Sequence, residues 1–226
     1  MKIYTLDDLQ YKNLKLIQSK NGYRSSEDSL ILLNTIIKNI GKNFPGSAFE
    51  FGTGSGIISI LLAAKIQKIK ITAIEVQNSL FKIAQKNIQK NNLLSKINLL
   101  EMDGRKIKTN FPNKKFDIAF SNPPYFPIGR GRLSPNLERR NARHEILCNM
   151  NDVLSGFEFL LKKSGLGFMI YPSFRWKEFD KKMRRENQSF VLNKYYFFKN
   201  LRKKLPENLS NPHLRSNLFV AKFMRI

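Results

Sequence analysis

At 226 residues and 42% hydrophobic, the chain carries enough apolar material for one substantial core and lies within the usual size of a single domain. Forty Lys and Arg against 17 Asp and Glu leave a formal charge of +23, which favours a polyanionic partner such as nucleic acid, although a general bias toward Lys and Asn contributes part of the excess. The single Cys148 excludes an internal disulfide, and two distant histidines without a Cys or carboxylate pattern at ligand spacing argue against a metal centre.

Asp7 and Asp8 near the start, with no apolar core beside them, do not read as a signal peptide, and the longest apolar stretch, Gly56 to Ala64, is far too short to span a bilayer. The expectation is one soluble, cytoplasmic domain over 1–226, divided into a leader (1–25), a core (26–172) and a C-terminal part with a basic helix and edge strands (173–226).

Along the leader, an extended segment around Leu14 to Gln18 precedes Asn21-Gly22, a hairpin or tight-turn signal. Leu30, Ile31, Leu33, Ile36, Ile37 and Ile40 recur at helical spacing behind Ser25 and Ser26 as N-caps, with Glu27 and Asp28 in the first turn and Gly41 as the stop. A strand at Ala48 to Phe51, a helix from Gly56 to Ile66, a β-branched strand at Ile69 to Ile74, a helix from Ser79 to Asn91 and a strand at Ile97 to Leu100 follow. Next comes the apolar run Phe116 to Phe120. Strand and helix alternating at this period predict an α/β fold with a mostly parallel sheet, helices on both faces and right-handed crossovers. Residues 129–143 are polar, arginine-rich and too irregular for a regular element. A helix from Met150 to Leu161, a strand at Gly167 to Tyr171 and a basic helix from Trp176 to Glu186 come next. Strands at Asn193 to Phe198 and Leu218 to Met224, joined by a proline-containing connection, suit an antiparallel pair at the sheet edge.

Three strand ends carry polar chemistry. Glu50-Phe51-Gly52-Thr53-Gly54-Ser55-Gly56 sits at a strand-to-helix junction, where glycines permit tight turning and close backbone approach to a ligand. Its G-x-G-x-G spacing departs from the dinucleotide fingerprint, so a nicotinamide or flavin is not the natural ligand. Glu75, at the end of the next strand, can accept from ribose hydroxyls, and Asp103, just after the third strand, from an adenine amine. Asn122-Pro123-Pro124-Tyr125 follows the Phe116 to Phe120 run. A delocalised amine is a poor nucleophile, and the Asn122 side-chain oxygen with the Pro123 carbonyl can accept both hydrogens of one NH2 group and aim its lone pair at an electrophile. Tyr125 is positioned to stack on the planar group.

This order of motifs resembles the class I S-adenosylmethionine-dependent methyltransferases over residues 26–172. More narrowly, Tyr23-Arg24-Ser25-Ser26-Glu27-Asp28-Ser29-Leu30 and Ala142-Arg143-His144-Glu145 are similar to segments of the tRNA1(Val) (adenine(37)-N6)-methyltransferase family. The resemblance implies a Rossmann-like, seven-stranded sheet with an antiparallel edge strand, S-adenosylmethionine as cofactor, and methylation of adenine N6 in tRNA beside the anticodon. It assigns catalysis to Asn122, Pro123, Pro124 and Tyr125, and cofactor binding to Asp28, Glu50, Gly52, Gly54, Gly56, Glu75 and Asp103. Glu50 stands where such enzymes often carry Asp, which keeps the carboxylate and lengthens its reach.

Arg130, Arg132, Arg139, Arg140 and Arg143 crowd the stretch after Tyr125 and are expected to grip RNA phosphates, with Lys177, Lys181, Lys182, Arg184, Arg185, Lys199, Arg202, Lys203 and Lys204 extending that surface. His144 and Glu145 are read as ordering the loop or capping the next helix, because an amine that has attacked a sulfonium methyl loses its proton without a tuned base. Cys148, Trp176 and the aromatics at 195–198 read as packing. No metal and no protein partner is called for. Three alternatives stay open: a glutamine N5-methyltransferase acting on a release factor, another rRNA or DNA amino-methyltransferase, and a non-catalytic RNA-binding protein of the same fold.

Overall fold

The alternation of buried strands and amphipathic helices closes, in the computed structural model, into one twisted sheet with a small hairpin beside it. The structure describes residues 3–186, 189–198 and 218–226, without the side chains of Arg185 and Glu186. In chain order the elements are β1 (Tyr4–Asp8), β2 (Lys15–Ser19), α1 (Glu27–Ile40), β3 (Ser47–Phe51), α2 (Ile57–Lys65), β4 (Lys70–Glu75), α3 (Asn78–Lys90) and β5 (Ile97–Glu101). They continue with α4 (Ile107–Asn110), β6 (Phe116–Ser121), α5 (Leu137–Arg143), α6 (Met150–Leu160), β7 (Leu161–Pro172), α7 (Trp176–Lys181), β8 (Phe190–Phe198) and β9 (Leu218–Arg225).

Seven strands lie in the order β5-β4-β3-β6-β7-β9-β8. β5, β4, β3, β6 and β7 are mutually parallel, and β9 runs antiparallel between β7 and β8. The antiparallel strand therefore lies one place in from the edge. Burial explains this: β9 is buried along most of its length, whereas β8 alternates with exposed positions such as Lys194 and tolerates an open side.

Both faces of the sheet are covered, so strand residues divide between two cores. Ile118 and Phe120 of β6 join Leu32, Ile36, Ile60 and Ile88 on one side, while Phe116 and Ala119 join Ile107, Val153, Phe157 and Phe179 on the other. α2 is buried from Ile57 through Ala63, as its unbroken apolar run requires.

The leader departs from expectation. Its hairpin pairs Tyr4 to Asp8 with Lys15 to Ser19, so the reversal lies at residues 9–14 rather than at Asn21-Gly22. The outer edge of β2 is completed by side chains of α3 and its C-cap: Asn87 accepts from Ile17 N at 2.6 Å and donates to Ile17 O at 2.9 Å, and Asn91, the C-cap, does the same for Lys15 at 3.0 and 2.8 Å. Asn87 also donates to Ser55 O at 2.9 Å, which ties the hairpin to the glycine loop.

Residues 129–143 are also more regular than expected, because α5 occupies their end. Asn136 caps it by accepting from Arg139 N at 3.0 Å, and Glu138 lies in the first turn. The basic helix expected over 176–186 is α-helical only to Lys181 and continues as a π turn through Glu186. Lys199, Arg202, Lys203, Lys204 and the proline-containing connection lie outside the described residues. Among the described residues, no helix is long and apolar enough to cross a membrane.

Candidate active site

In this sheet the strand order reverses between β3 and β6, and the crevice outside their C-terminal ends is where open α/β sheets bind ligands. The glycine loop leaves β3 and the Asn-Pro-Pro turn leaves β6, so both line one open cleft. Its walls include Gly52, Thr53 and Gly54, then Glu75 and Gln77, Asp103 and Gly104, and Asn122, Pro123 and Pro124. The glycine loop runs through left-handed conformations, with φ of 72° at Gly52, 60° at Gly54 and 88° at Gly56, which a side chain would strain. A Cβ added at Gly52 would meet nothing within 4 Å, so the backbone there stands open to a ligand.

Two carboxylates lie beneath this loop. Glu50 is 1% exposed and accepts from the Thr53 hydroxyl at 2.6 Å and from the Ser59 hydroxyl. Burial pushes its carboxyl up to about 7 against those hydrogen bonds. Glu75 accepts from Gly54 N at 2.8 Å, Val76 N at 3.0 Å and Gln77 N at 2.9 Å, and burial likewise raises its pKa. The donor set fits a cationic, ribose-bearing ligand: acidic groups in a low-dielectric cleft favour positive charge, and an acidic side chain at the end of the second strand suits a sugar hydroxyl.

The Glu50 shift has a consequence for stability. Because the folded state holds this proton above the ordinary carboxylate range, the stability that Glu50 contributes is fully present below about pH 4.5 and is lost as pH rises through about 7. The Glu50→Gln variant should show a flatter decline than the parent in denaturation midpoints across that window. An unchanged slope would mean that Glu50 ionises freely in the fold.

Other expected contacts fall elsewhere. Gly56 is outside the cleft lining; it is the N-cap of α2 and lies against Ile60 and Ala84, where an added Cβ would stand 3.4 Å from the Ile60 side chain. Asp103 lines the cleft, but Arg105 donates to both of its carboxylate oxygens, at 2.6 to 3.0 Å, and the Arg105 N–H adds a bond at 2.9 Å. This pairing holds its pKa down and fills most of the acceptor capacity that an adenine amine would use.

Asp28 and Tyr125 are hydrogen-bonded to each other at the edge of this region. Tyr125 donates its hydroxyl to Asp28 at 2.6 Å, Asp28 is 3% exposed, and neither residue is in the lining. The half-buried Tyr125 ring stands 6.2 Å from that of Tyr171, at 48°. Tyr125→Phe should therefore lower stability by about 1–3 kcal/mol, measured by denaturant unfolding, because it leaves a buried carboxylate short of one donor.

Asn122 remains in the wall, with Nδ2 donating to Ser29 Oγ at 3.4 Å. That contact leaves Oδ1 as the available acceptor of its amide. Arg175, which the sequence did not single out, supports the turn. It is 2% exposed and donates to the Tyr125 carbonyl at 3.0 Å, to Glu145 at 3.1 Å and to Glu178 at 2.8 and 2.9 Å. Glu145 also accepts from Met150 N at 3.1 Å and so tethers the start of α6, while His144 is buried against Phe126. Burial lifts the Cys148 thiol to about 12, so it stays protonated in the cleft wall.

The arginine stretch folds over the cleft, and Asn141 and Ala142 of α5 belong to its lining. Glu138 accepts from Tyr23 N at 2.8 Å and from the Ser79 hydroxyl at 2.6 Å, and Arg139 donates to Gly22 O at 3.1 Å. Arg139 is thus partly engaged within the protein. Arg130 and Arg132 are exposed and have no ion pair among the described residues, while Arg140 and Arg143 are half-buried. Tyr23, the first residue of the Tyr23-to-Leu30 segment, lines the cleft with its ring over Gly54, and Glu138 supports it from outside the lining. Asn136 and Glu138 do form a cap signal that marks α5.

The methyltransferase small domain family model matches residues 25–151, more than half of the chain. A tRNA1(Val) (adenine(37)-N6)-methyltransferase of Glaesserella parasuis is 32% identical over 121 residues, 54% of this chain and 49% of that protein. One from a Flavobacteriaceae bacterium is 26% identical over 84% of this chain and 77% of its own length. Among solved structures, M. jannaschii TYW2 in complex with AdoMet superposes with a TM-score of 0.62 at 15% identity, covering 100% of this chain and 88% of that one, a likeness of fold.

Proposed function

The chain belongs to the methyltransferase small domain family, and from that premise we propose that it transfers a methyl group from S-adenosylmethionine to N6 of an adenine in tRNA, at the position beside the anticodon. The observation that carries the reading is the placement of Asn122-Pro123-Pro124 across one cleft from the glycine loop and Glu75. When bound, S-adenosylmethionine supplies an electrophilic methyl carbon on a sulfonium centre. The backbone of Gly52 and Gly54 would border it, and Glu75 would accept from its ribose and favour its positive charge.

The protein's share of the reaction is mainly positioning. Asn122 Oδ1 and the Pro123 carbonyl accept the two amine hydrogens, so the nitrogen lone pair turns away from the ring system. Arg175, through the Tyr125 carbonyl, and Asp28, through the Tyr125 hydroxyl, hold that turn from two sides. The target base leaves its loop at modest cost because loop bases are only partly stacked. Arg130 and Arg132 are free to meet phosphates. The curated relatives carry the same adenine-37 name, which supports the choice of tRNA over a protein amide. On this reading the enzyme works in the cytoplasm, where tRNA is abundant.

Incubation with methyl-labelled S-adenosylmethionine, offering unmodified total tRNA and a release factor in parallel, tests it. Labelled N6-methyladenosine in the digested tRNA is the expected product. Label confined to the protein would transfer the function to glutamine methylation, and no transfer to either substrate would overturn the reading.

A further inference from the structure

Beyond the Asn-Pro-Pro turn, an aromatic stack rises to the surface that the chemistry above does not use. The Phe126 ring lies 5.4 Å from the His144 ring at 31° and 5.8 Å from the Phe174 ring at 26°, in a stacked arrangement. The Arg143 guanidinium stands 5.6 Å from the Phe126 centroid. His144 is 2% exposed and forms the buried base of the stack, whereas Phe174 is 51% exposed and, among the described residues, its ring contact is Phe126. The stack is anchored to the turn by backbone bonds: Tyr125 N and Phe126 N both donate to Arg143 O at 3.0 Å, and Glu145 N donates to Phe126 O at 2.9 Å.

We propose that Phe174, backed by Phe126 and His144, is a stacking platform for the nucleobase adjacent to the target nucleotide in a single-stranded RNA segment. This rests on the methyl-transfer reading and names a second base subsite for it. Three observations choose the occupant. The platform is an open aromatic face, which any base can cover through its π system. It is bordered by charge that complements a phosphate backbone, with Arg143 over the stack and exposed Arg130 and Arg132 on the loop that returns past Phe126, where a Cβ added at Gly131 would stand 3.1 Å from that ring. It also lies beside the cleft rather than in it: Phe126 and Phe174 are outside the lining, while Pro124, two residues before Phe126, is part of it. A base drawn into the cleft leaves its neighbour unstacked on one face, and an exposed ring beside the cleft would replace the lost stacking partner.

The test is a coupling experiment on the full chain, using an RNA stem-loop with one methylatable adenosine and abasic sites introduced singly at the target, at the 5′ neighbour and at the 3′ neighbour. Phe174→Ala should weaken binding of the intact RNA by about 5-fold or more, the lower end of what one base-aromatic stack contributes. An abasic site at one neighbour should cost the parent protein a similar factor and cost Phe174→Ala almost nothing. Phe174→Trp should restore the parent behaviour, and S-adenosylmethionine affinity should be unchanged throughout. Equal losses in parent and variant at both neighbours, or coupling confined to the target position, would overturn the platform while leaving methyl transfer intact. Absence of any methylated adenosine with the parent protein would instead overturn the reading on which it rests.

Discussion

Asn122→Ala should reduce methyl transfer by about 10²–10³-fold, the cost typical of removing one preorganised polar group that acts on the reacting atoms. Binding of S-adenosylmethionine should be nearly unaffected, because the glycine loop, Glu50 and Glu75 are held by their own hydrogen bonds and none of these runs through Asn122. The Asn122 amide makes one long contact, 3.4 Å to Ser29 Oγ, so truncation removes little that holds the fold together. The effect should therefore fall on the chemical step. Single-turnover rates with saturating RNA, set beside calorimetric titration of the cofactor, separate the two. Turnover equal to the parent would exclude Asn122 as the group that orients the amine.

Arg175→Met should be the most damaging change away from the cleft wall. The guanidinium is buried and satisfies the Tyr125 carbonyl, Glu145 and Glu178 together. Removing one member of a buried pair leaves the other charge without compensation, at a cost of about 3–5 kcal/mol. The lower end applies here because the Glu178 side chain is 44% exposed and can turn to water, whereas that of Glu145 is only 10% exposed. For a chain of this size, about 3 kcal/mol corresponds to a fall of roughly 6–12 °C in Tm. A structural role alone would stop there. A positioning role adds a fall in kcat at temperatures where the variant is fully folded, since the carbonyl of Tyr125 is released. Arg175→Lys should recover part of the stability but little of the kcat, because an ammonium lacks the planar fork that reaches three partners at once. Melting curves and kcat for both variants decide the matter; a stable Arg175→Met variant with parental kcat would remove Arg175 from the site.

The parts of this protein that its sequence announces are those governed by local periodicity. β4 and β6 are short, largely apolar runs between helical patterns, and that is enough to place them inside a parallel sheet, since strands covered on both faces are apolar along most of their length. Gly52, Gly54 and Gly56 at a strand end, and Asn122-Pro123-Pro124 at another, mark backbone conformations that few other residue types supply. From these the crevice and most of its lining follow, because a doubly wound sheet brings the ends of neighbouring strands together.

Pairings between distant residues left no such trace. Asp28 and Tyr125 are 97 positions apart, and Arg175 is 50 positions from the carbonyl it holds. Each of these groups has a plausible use at a ligand when read alone. Asp103 shows the same at short range, since the chain offers Arg105 as a partner without saying that the two will meet. By itself, then, the sequence determined the sheet, the glycine loop and the Asn-Pro-Pro turn, because backbone geometry and hydrophobic period are written in local order. Only the tertiary structure decided which polar side chains face the cleft and which are taken up inside the protein, because a carboxylate, hydroxyl or guanidinium bonds to whichever partner the fold brings within about 3 Å.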